Sequence, residues 1–446
     1  VDLIEKIYNA GVVGAGGAGF PSHIKLNNRA EYLIINGVEC EPLLGTDKFL
    51  MRNKAKEIVL AINEIAKNLG AREVFIATKE SYNEEINSVT KEIKENGFRI
   101  KIHKMKSFYP AGDEQVLVKE VIGKTVPPGG IPINVNTVVS NVGTAYNIYE
   151  AINDKPVIRK FISILGEIKN PMILNVPIGT SILECINAAG GSTIKDYAII
   201  IGGPMMGKII SHEEAKNRTI TKTDGALIII SKNHVLYKRK SLGLDKIIKI
   251  SKSACIQCSY CTDLCPRFLL GHVIRPHRIM RALTCFDEDN EIFNESLLCS
   301  ECGVCENYAC PMGLSPREVN VYIKSIVRAK GKKANQKLLE ENSMRDFRLV
   351  PTEKLLIRLG LNKYKTQKLQ SYMEISADKV TISLKQHIGS PAKPVVEVGQ
   401  RVEEGQLIGD IEKNLLGAKI HASISGIVKH VGEQIVIESD NKEVIK

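Results

Sequence analysis

Eight of the eleven cysteines in this chain stand in two short runs of nearly the same spacing. The first run is Cys255, Cys258, Cys261 and Cys265 followed by Pro266, and the second is Cys299, Cys302, Cys305 and Cys310 followed by Pro311. A CxxCxxC turn presents three sulfurs to one point from different directions, and the Cys-Pro that follows turns the chain away. Whatever surrounds it, this segment has to close around something that thiolates hold.

Three chemistries compete for the thiols. Tetrathiolate zinc usually draws on two separated CxxC pairs, and packing disulfides would not require eight cysteines at near-duplicate spacing in a chain otherwise poor in cysteine. Two 4Fe-4S cubanes match the spacing, which makes this a protein that moves single electrons. In two-cluster ferredoxins the fourth cysteine of each run ligates the other cluster, so the expected sets are crossed. One holds Cys255, Cys258, Cys261 and Cys310; the other holds Cys299, Cys302, Cys305 and Cys265. The last gap of the second run has four residues, Glu306 to Ala309, where the bacterial pattern has three, which adds slack without preventing closure. Cys40, Cys185 and Cys285 read as packing residues.

At 446 residues the chain exceeds one ordinary domain, and about 150 residues per domain gives roughly three. With 43% hydrophobic residues and no Trp it reads as globular. Apolar runs such as Ala226 to Ile230 fall far short of the ~20 residues that cross a bilayer, and no charged-then-apolar signal opens the sequence. No membrane span and a cytoplasmic location are expected, which suits reduced thiols. The formal charge of +11 raises a nucleic-acid reading. Basic stretches at Lys238 to Lys240 and around Arg328 to Lys333 lack interleaved aromatics for stacking on bases, and cluster thiolates add negative charge that the count omits. A solvated face that attracts an acidic redox partner is the expectation, with no nucleic acid.

The fold expected is multidomain. Residues 1–155 alternate buried strand patterns (Tyr32 to Asn36, Val74 to Thr78, Asn134 to Asn141) with helical ones such as Lys54 to Asn68, the texture of a layered α/β domain. Residues 156–240 form a small α+β unit with a helix over Ser181 to Ala189. Residues 241–335 hold the cysteines among helical patterns at Leu269 to Leu283 and Pro316 to Arg328. A linker with a helix occupies 336–378. Residues 379–446 are all short strands with glycine-marked turns, a barrel-like sandwich read as a structural or docking module; Lys413 near its hairpin lacks the methionine-flanked setting of a biotin carrier.

Gly11 to Pro21 reads GVVGAGGAGFP, where Gly14, Gly16, Gly17 and Gly19 let backbone amides approach a phosphate or flavin. Its continuation is more specific. GAGGAGFPSHIKL, then NGVECEP at Asn36 to Pro42, YPAGDEQ at Tyr109 to Gln115 and NVGTAYNI at Asn141 to Ile148 resemble, in order, the flavin domain of the NADH-oxidising subunit of respiratory complex I. The resemblance implies an FMN site made by Gly14, Gly16, Gly17, Gly19, Lys25, Asn36, Tyr109, Gly112, Asp113, Glu114, Asn141 and Thr144. It also places Phe20 and Glu41 near the nicotinamide. Glu39 and Glu114 invite an acid/base reading, but hydride transfer to a flavin needs little of it, so both are expected to position ligands or hold structure; no catalytic residue beyond the cofactors is expected. Ala15, Val38 and Ser140 depart from the complex I pattern.

Phe161 to Gly207 resembles the soluble-ligand-binding β-grasp (SLBB) domain that follows the flavin domain in that family. The C subunit of the Rnf complex is similar to the whole set of parts, although there the sandwich comes first and here it comes last. That order, with LCPRFLLGHVIRPHRIMRA, CSECGVCENYACPMGLSPREVN and VPTEKLLIRLGL, resembles the cobalamin reductase family of the propanediol-utilisation system. The resemblance implies an NADH-dependent oxidoreductase passing electrons from NADH through FMN and two 4Fe-4S clusters to a corrinoid. It implies partners in a B12-dependent enzyme system, an adenosyltransferase or another redox protein, assembly as a homo-oligomer or as part of a larger complex, and a place inside a bacterial microcompartment. A flavin fits chemically, since a nicotinamide gives two electrons as hydride and a cubane takes one.

Two alternatives stay open. The same wiring could serve ferredoxin or a partner flavoprotein, or the chain could be a non-catalytic electron-transfer scaffold. No DxHxxG motif for stable base-off cobalamin binding occurs. His272 and His277 near the first run could tune a cluster, against a packing role.

Overall fold

Four parallel strands carry the N-terminal domain. Tyr32–Asn36 lies between Glu73–Lys79 and Thr137–Asn141, and Lys101–Met105 extends the sheet beyond Glu73–Lys79. The structure is a computed structural model and describes residues 2–285 and 289–440. Parallel pairing demands crossover connections, and here they are helical. In Ala55–Leu69, Ile58, Val59, Ile62, Ile65 and Leu69 repeat at helical spacing and are buried, and Gly70 in the left-handed region (φ 67°) closes the helix. From Tyr32–Asn36 the chain winds one way through the next two strands and returns on the other side with Thr137–Asn141. The crevice between the carboxyl ends of those two strands is therefore a topological switch point, where such sheets bind ligands. Asn36 and Asn141 pair in register there.

The β-grasp unit is a six-stranded mixed sheet with Arg159–Gly166 and Ala226–Ser231 at its centre. Its helix, Ile182–Ala188, opens with a Ser181–Glu184 capping box and buries Cys185. Cys40 is half-buried and Cys285 is exposed, so the packing expectation fails for Cys285.

In the cysteine-bearing segment, the helical pattern expected over Leu269 to Leu283 is broken into Pro266–Leu269 and Pro276–Cys285. Gly271 (φ 93°) makes the break, because a side chain there would run into the carbonyl of Leu339, and Pro276 then starts the second helix. Pro316–Ala329 follows the expected pattern and buries Val319, Ile323 and Val327.

The stretch expected as a linker is woven into every other domain. Leu339 N–H donates to the Gly271 carbonyl, and Arg345 is ion-paired with Glu120 of the first domain. Val350–Pro351 pairs with Phe108–Tyr109, the Thr352–Arg358 helix buries Leu355 and Leu356, and Tyr372–Glu374 adds the edge strand beside Met172–Pro177. Its polar composition conceals this, because edge-strand pairing is made by main-chain groups.

The C-terminal sandwich packs a four-stranded and a three-stranded sheet. Its apolar face is continuous with the core of the first domain. Lys413 Nζ lies 3.9 Å from Glu5, so that hairpin rests by the first helix. The fully buried Lys222 of the β-grasp unit donates to the carbonyls of Gly11 (2.7 Å) and Lys419 (2.8 Å), tying three domains together, and burial pushes its pKa down to about 7. Among the described residues no helix is long and apolar enough to cross a membrane.

Candidate functional site: a glycine-lined cleft beside two thiol sets

The glycine loop closes on itself over the switch point. Val13 bridges Pro21, Gly14 N–H donates to the Phe20 carbonyl (2.9 Å), and Ala15 N–H donates to Thr144 Oγ1 (2.9 Å). Gly14, Gly16, Gly17, Gly19, Phe20 and Lys25 line one side of a cleft of about 800 Å³; Asn36, Gly112, Glu114, Asn141 and Thr144 line the other. Eleven expected residues thus converge from four separate stretches of chain.

The glycines do different jobs. A side chain at Gly17 would meet no protein atom within 4 Å and would project into open space. At Gly16 it would press on Asn141 Nδ2 at 3.0 Å, and at Gly19 (φ 71°) it would meet Thr223 Cγ2 at 2.8 Å and His387 Cα at 3.1 Å. Gly19 therefore serves packing against the β-grasp and sandwich domains. Lys25 Nζ pairs with Glu114 Oε1 at 2.5 Å on the rim. Asn141 Oδ1 caps its helix through Gly143 N–H (2.7 Å), and Asn36 Nδ2 donates to the Gly112 carbonyl (3.0 Å), so both asparagines are held before any ligand arrives.

A second cleft of about 820 Å³ shares Gly16, Asn36, Gly112 and Asn141 with the first and is lined further on by Glu39, Glu41, Asp47 and Lys160. Glu39 (φ 40°) accepts from the amides of Asp47 (3.1 Å) and Lys48 (3.4 Å) at the start of the Thr46–Asn53 helix, a structural role. Burial and then the charge of Glu39 push the Asp47 carboxyl up to about 8, while burial pushes Glu39 up in turn. Asn141 Nδ2 donates to Asp47 Oδ2 (2.8 Å). Burial pushes Lys160 down to about 8 against the pull of Asp224 and Asp47, and it donates to the Ala15 carbonyl (3.2 Å). Sequence reasoning missed Lys160 and Asp47. The signal was a lysine within the apolar run RKFISILG.

Glu41 lines this cleft, yet its oxygens accept from the amides of Met205 (3.0 Å) and Met206 (2.8 Å), and Gly203 is bare because a side chain would collide with that carboxyl. Burial pushes Glu41 up to about 7. It clamps the β-grasp turn to the first domain. Phe20 sits half-exposed on the rim of the first cleft.

Tyr109 and Asp113 do not line either cleft. The Tyr109 hydroxyl donates to the Cys302 carbonyl (2.7 Å). Asp113 caps the Glu114–Ile122 helix and takes a bidentate pair from Arg267, at 2.6 and 2.9 Å, two residues after Cys265. Both residues fasten the wall of the first cleft to the second thiol set.

The two cysteine runs adopt one repeated turn. Residues two and four after the first cysteine are left-handed in each: Gln257 (φ 56°) and Ser259 (φ 62°), then Glu301 (φ 62°) and Gly303 (φ 79°). The extra residue of the second run is absorbed as a π-helical turn, Cys305–Ala309, packed on its counterpart Tyr260–Asp263. Cys255, Cys258, Cys261 and Cys310 surround one cavity of about 340 Å³, which His277 also lines with its Nδ1 2.7 Å from Thr262 Oγ1. His272 is instead a packing residue on the Val126 carbonyl (3.0 Å). Burial and then Cys302 push the Cys265 thiol up to about 12, and burial followed by Cys255, Cys310 and Cys258 does the same to Cys261. Thiols crowded this way ionise only against compensating positive charge, which iron supplies. Among the described residues no group of three His, Cys, Asp or Glu is placed to hold a single metal ion; the first run and Cys310 share the lining of one cavity.

Four family models match, in chain order: the Nuo51 FMN-binding domain over 7–150, the SLBB domain over 161–208, a 4Fe-4S dicluster domain over 254–315 and the RnfC barrel sandwich hybrid domain over 357–445. Cobalamin reductase PduS of Salmonella typhimurium is 39% identical over 437 residues, 98% of this chain and 96% of that protein. The Citrobacter freundii cobalamin reductase PduS is 38% identical over 97% and 95%. The C subunit of the ion-translocating oxidoreductase complex from Rhodobacter capsulatus is 34% identical over 59% of this chain and 49% of its own. An NAD+-reducing [NiFe]-hydrogenase in the H2-reduced state shares the fold with a TM-score of 0.50 at 18% identity, over 78% of this chain and 62% of that one.

Proposed function

This chain belongs to the family of cobalamin reductase PduS, and we propose that it reduces a corrinoid with electrons from NADH. It is an oxidoreductase of flavin and iron-sulfur type, with FMN and 4Fe-4S clusters as cofactors. Bound in the cleft, a flavin takes two electrons as hydride and gives them up singly.

We assign the FMN to the first cleft. Gly14, Gly16 and Gly17 give its backbone close access, Lys25 and Thr144 supply donors, and Asn141 is fixed by its own cap. The nicotinamide is assigned to the adjoining cleft, where Lys160 and the Glu39–Asp47 pair set the charge. Glu41 lines that cleft and acts by holding the Gly202–Gly207 turn against the first domain. The thiolates ligate two clusters in the crossed sets, Cys255, Cys258, Cys261 with Cys310 and Cys299, Cys302, Cys305 with Cys265. The observation that supports this most is that Cys310 joins the first run around one cavity. We propose as well a cytoplasmic location, within a bacterial microcompartment, and work beside a B12-dependent enzyme.

The test is anaerobic stopped-flow mixing with NADH, followed by cob(III)alamin and, separately, ferredoxin. Flavin bleaching followed by cobalt reduction is expected. An oxidised flavin after NADH would overturn the reading in favour of a scaffold; reduction of ferredoxin without cobalamin would overturn the corrinoid assignment.

A further inference from the structure

The two thiol sets occupy unequal positions. The set containing Cys302 and Cys265 lies against the flavin cleft, joined to its wall by Tyr109 on Cys302 and by Arg267 on Asp113, next to cleft-lining Gly112. The set containing Cys255 and Cys310 is lined only by residues of 255–316, with no contribution from the flavin domain. Its rim is apolar and open. Ile256 is 61% exposed, Tyr260 54% and Met312 47%, and Ile256 and Met312 both line the cavity mouth. Such bare apolar groups at the edge of a redox site mark a contact surface.

We propose that electrons leave this chain from the Cys255, Cys258, Cys261 and Cys310 set, and that its rim docks an acidic one-electron redox protein. The inference rests on the wiring proposed above. Charge selects the occupant. Lys246, Lys249 and Lys252 follow each other at helical spacing along Leu244–Ala254, are exposed, and lead into Cys255. Arg278 and Arg281 are exposed on the packed neighbour Pro276–Cys285, beside cavity-lining His277. Asp245 is the acidic group on these two helices, and Asp263 stands on the neighbouring turn Tyr260–Asp263. An apolar patch flanked by five cations fits a partner whose acceptor sits in an apolar patch ringed by carboxylates, which such a field would steer into place. Each NADH becomes NAD+ and a proton and yields two electrons, so two partner molecules are each reduced by one electron, which they hand on to the corrinoid.

The experiment uses the holoprotein and an acidic flavodoxin as probe, with basic cytochrome c as control, and measures binding by calorimetry at low and high salt. The double variant Lys249→Glu, Lys252→Glu, and separately Arg278→Glu, should each weaken flavodoxin binding about tenfold at low salt, with the difference collapsing at high salt. Iron content, flavin content and NADH-to-ferricyanide rate should stay as in the parent. The control variant Lys91→Glu, Lys94→Glu, on the Asn83–Glu95 helix of the first domain, should bind as the parent does. Equal weakening by the control, salt-indifferent binding, or tighter binding of cytochrome c would overturn the proposal. Displacement of flavodoxin by free hydroxocobalamin, with the reversals having no effect, would overturn it in favour of the corrinoid itself. A holoprotein whose flavin NADH does not reduce would count against the proposed function, while the binding result would remain readable.

Discussion

Tyr109 donates a buried hydrogen bond of 2.7 Å to the carbonyl of Cys302, 193 residues away. One phenol thereby ties the segment leading to cleft-lining Gly112 to a residue of the second thiol set. Tyr109→Phe leaves that carbonyl without its partner, at a cost of ~1–3 kcal/mol. We expect full flavin and iron, a lower melting temperature, and an altered electron paramagnetic resonance signal for the cluster held by Cys302 alone. An unchanged signal together with an unchanged melting temperature would show that other contacts set the spacing.

Crossed ligation predicts crossed damage. Cys310→Ser should impair the cluster whose other thiols are Cys255, Cys258 and Cys261, and Cys265→Ser the one that holds Cys299, Cys302 and Cys305. Spectra of the reduced variants distinguish the two centres, and iron should fall from about eight per chain toward about four. Damage confined to the mutated run would refute the sets.

Gly17 and Gly19 should separate flavin loss from misfolding. A Cβ at cleft-lining Gly17 meets no protein atom within 4 Å, so Gly17→Val should keep its melting temperature and its iron but lose FMN on gel filtration. Gly19→Val collides with Thr223 and His387 and forces a left-handed backbone on a β-branched residue, so it should fold poorly with or without flavin. Retained FMN in Gly17→Val would remove the cleft from consideration.

The Glu39–Asp47 pair gives stability a pH dependence. Both carboxyls are pushed up in the folded protein, Asp47 from 3.8 to about 8, chiefly by burial. Between those values the folded state keeps a proton that the unfolded chain has released, so this contribution is complete at low pH and is lost as pH rises toward about 8. Asp47→Asn removes the like charge. Its melting temperature should fall less than the parent's between pH 5 and pH 8, by ~2 °C or more. Parallel curves would show that the pair does not titrate in this range.

The expected cluster ligands could be written down before any coordinate because a cubane imposes its own spacing on consecutive residues: CxxCxxC is local chemistry, and the repeated left-handed turns at Gln257, Ser259, Glu301 and Gly303 are its local geometry. The strand Tyr32–Asn36 was legible because burial on both faces of a parallel sheet demands apolar runs, and the strand expected over Asn134 to Asn141 begins only at Thr137, after a 3-10 turn at Pro132–Val135 and a left-handed Asn136. Tyr109 and Asp113 were legible as members of a motif, but their partners, Cys302 and Arg267, are distant in sequence and carry no periodic signal. Glu41 was expected near the nicotinamide, and only the fold showed that it accepts from the amides of Met205 and Met206 while lining the second cleft. Lys222 and the edge strand Tyr372–Glu374 became visible only in three dimensions, because an ion buried between domains and a strand paired through main-chain groups leave no pattern along the chain. Sequence alone determined which chemistry this protein contains, since cofactor ligation is a short-range property. Tertiary structure decided which thiol set packs against the glycine-lined cleft's domain, through Tyr109 and Asp113, because that depends on how separately encoded domains pack.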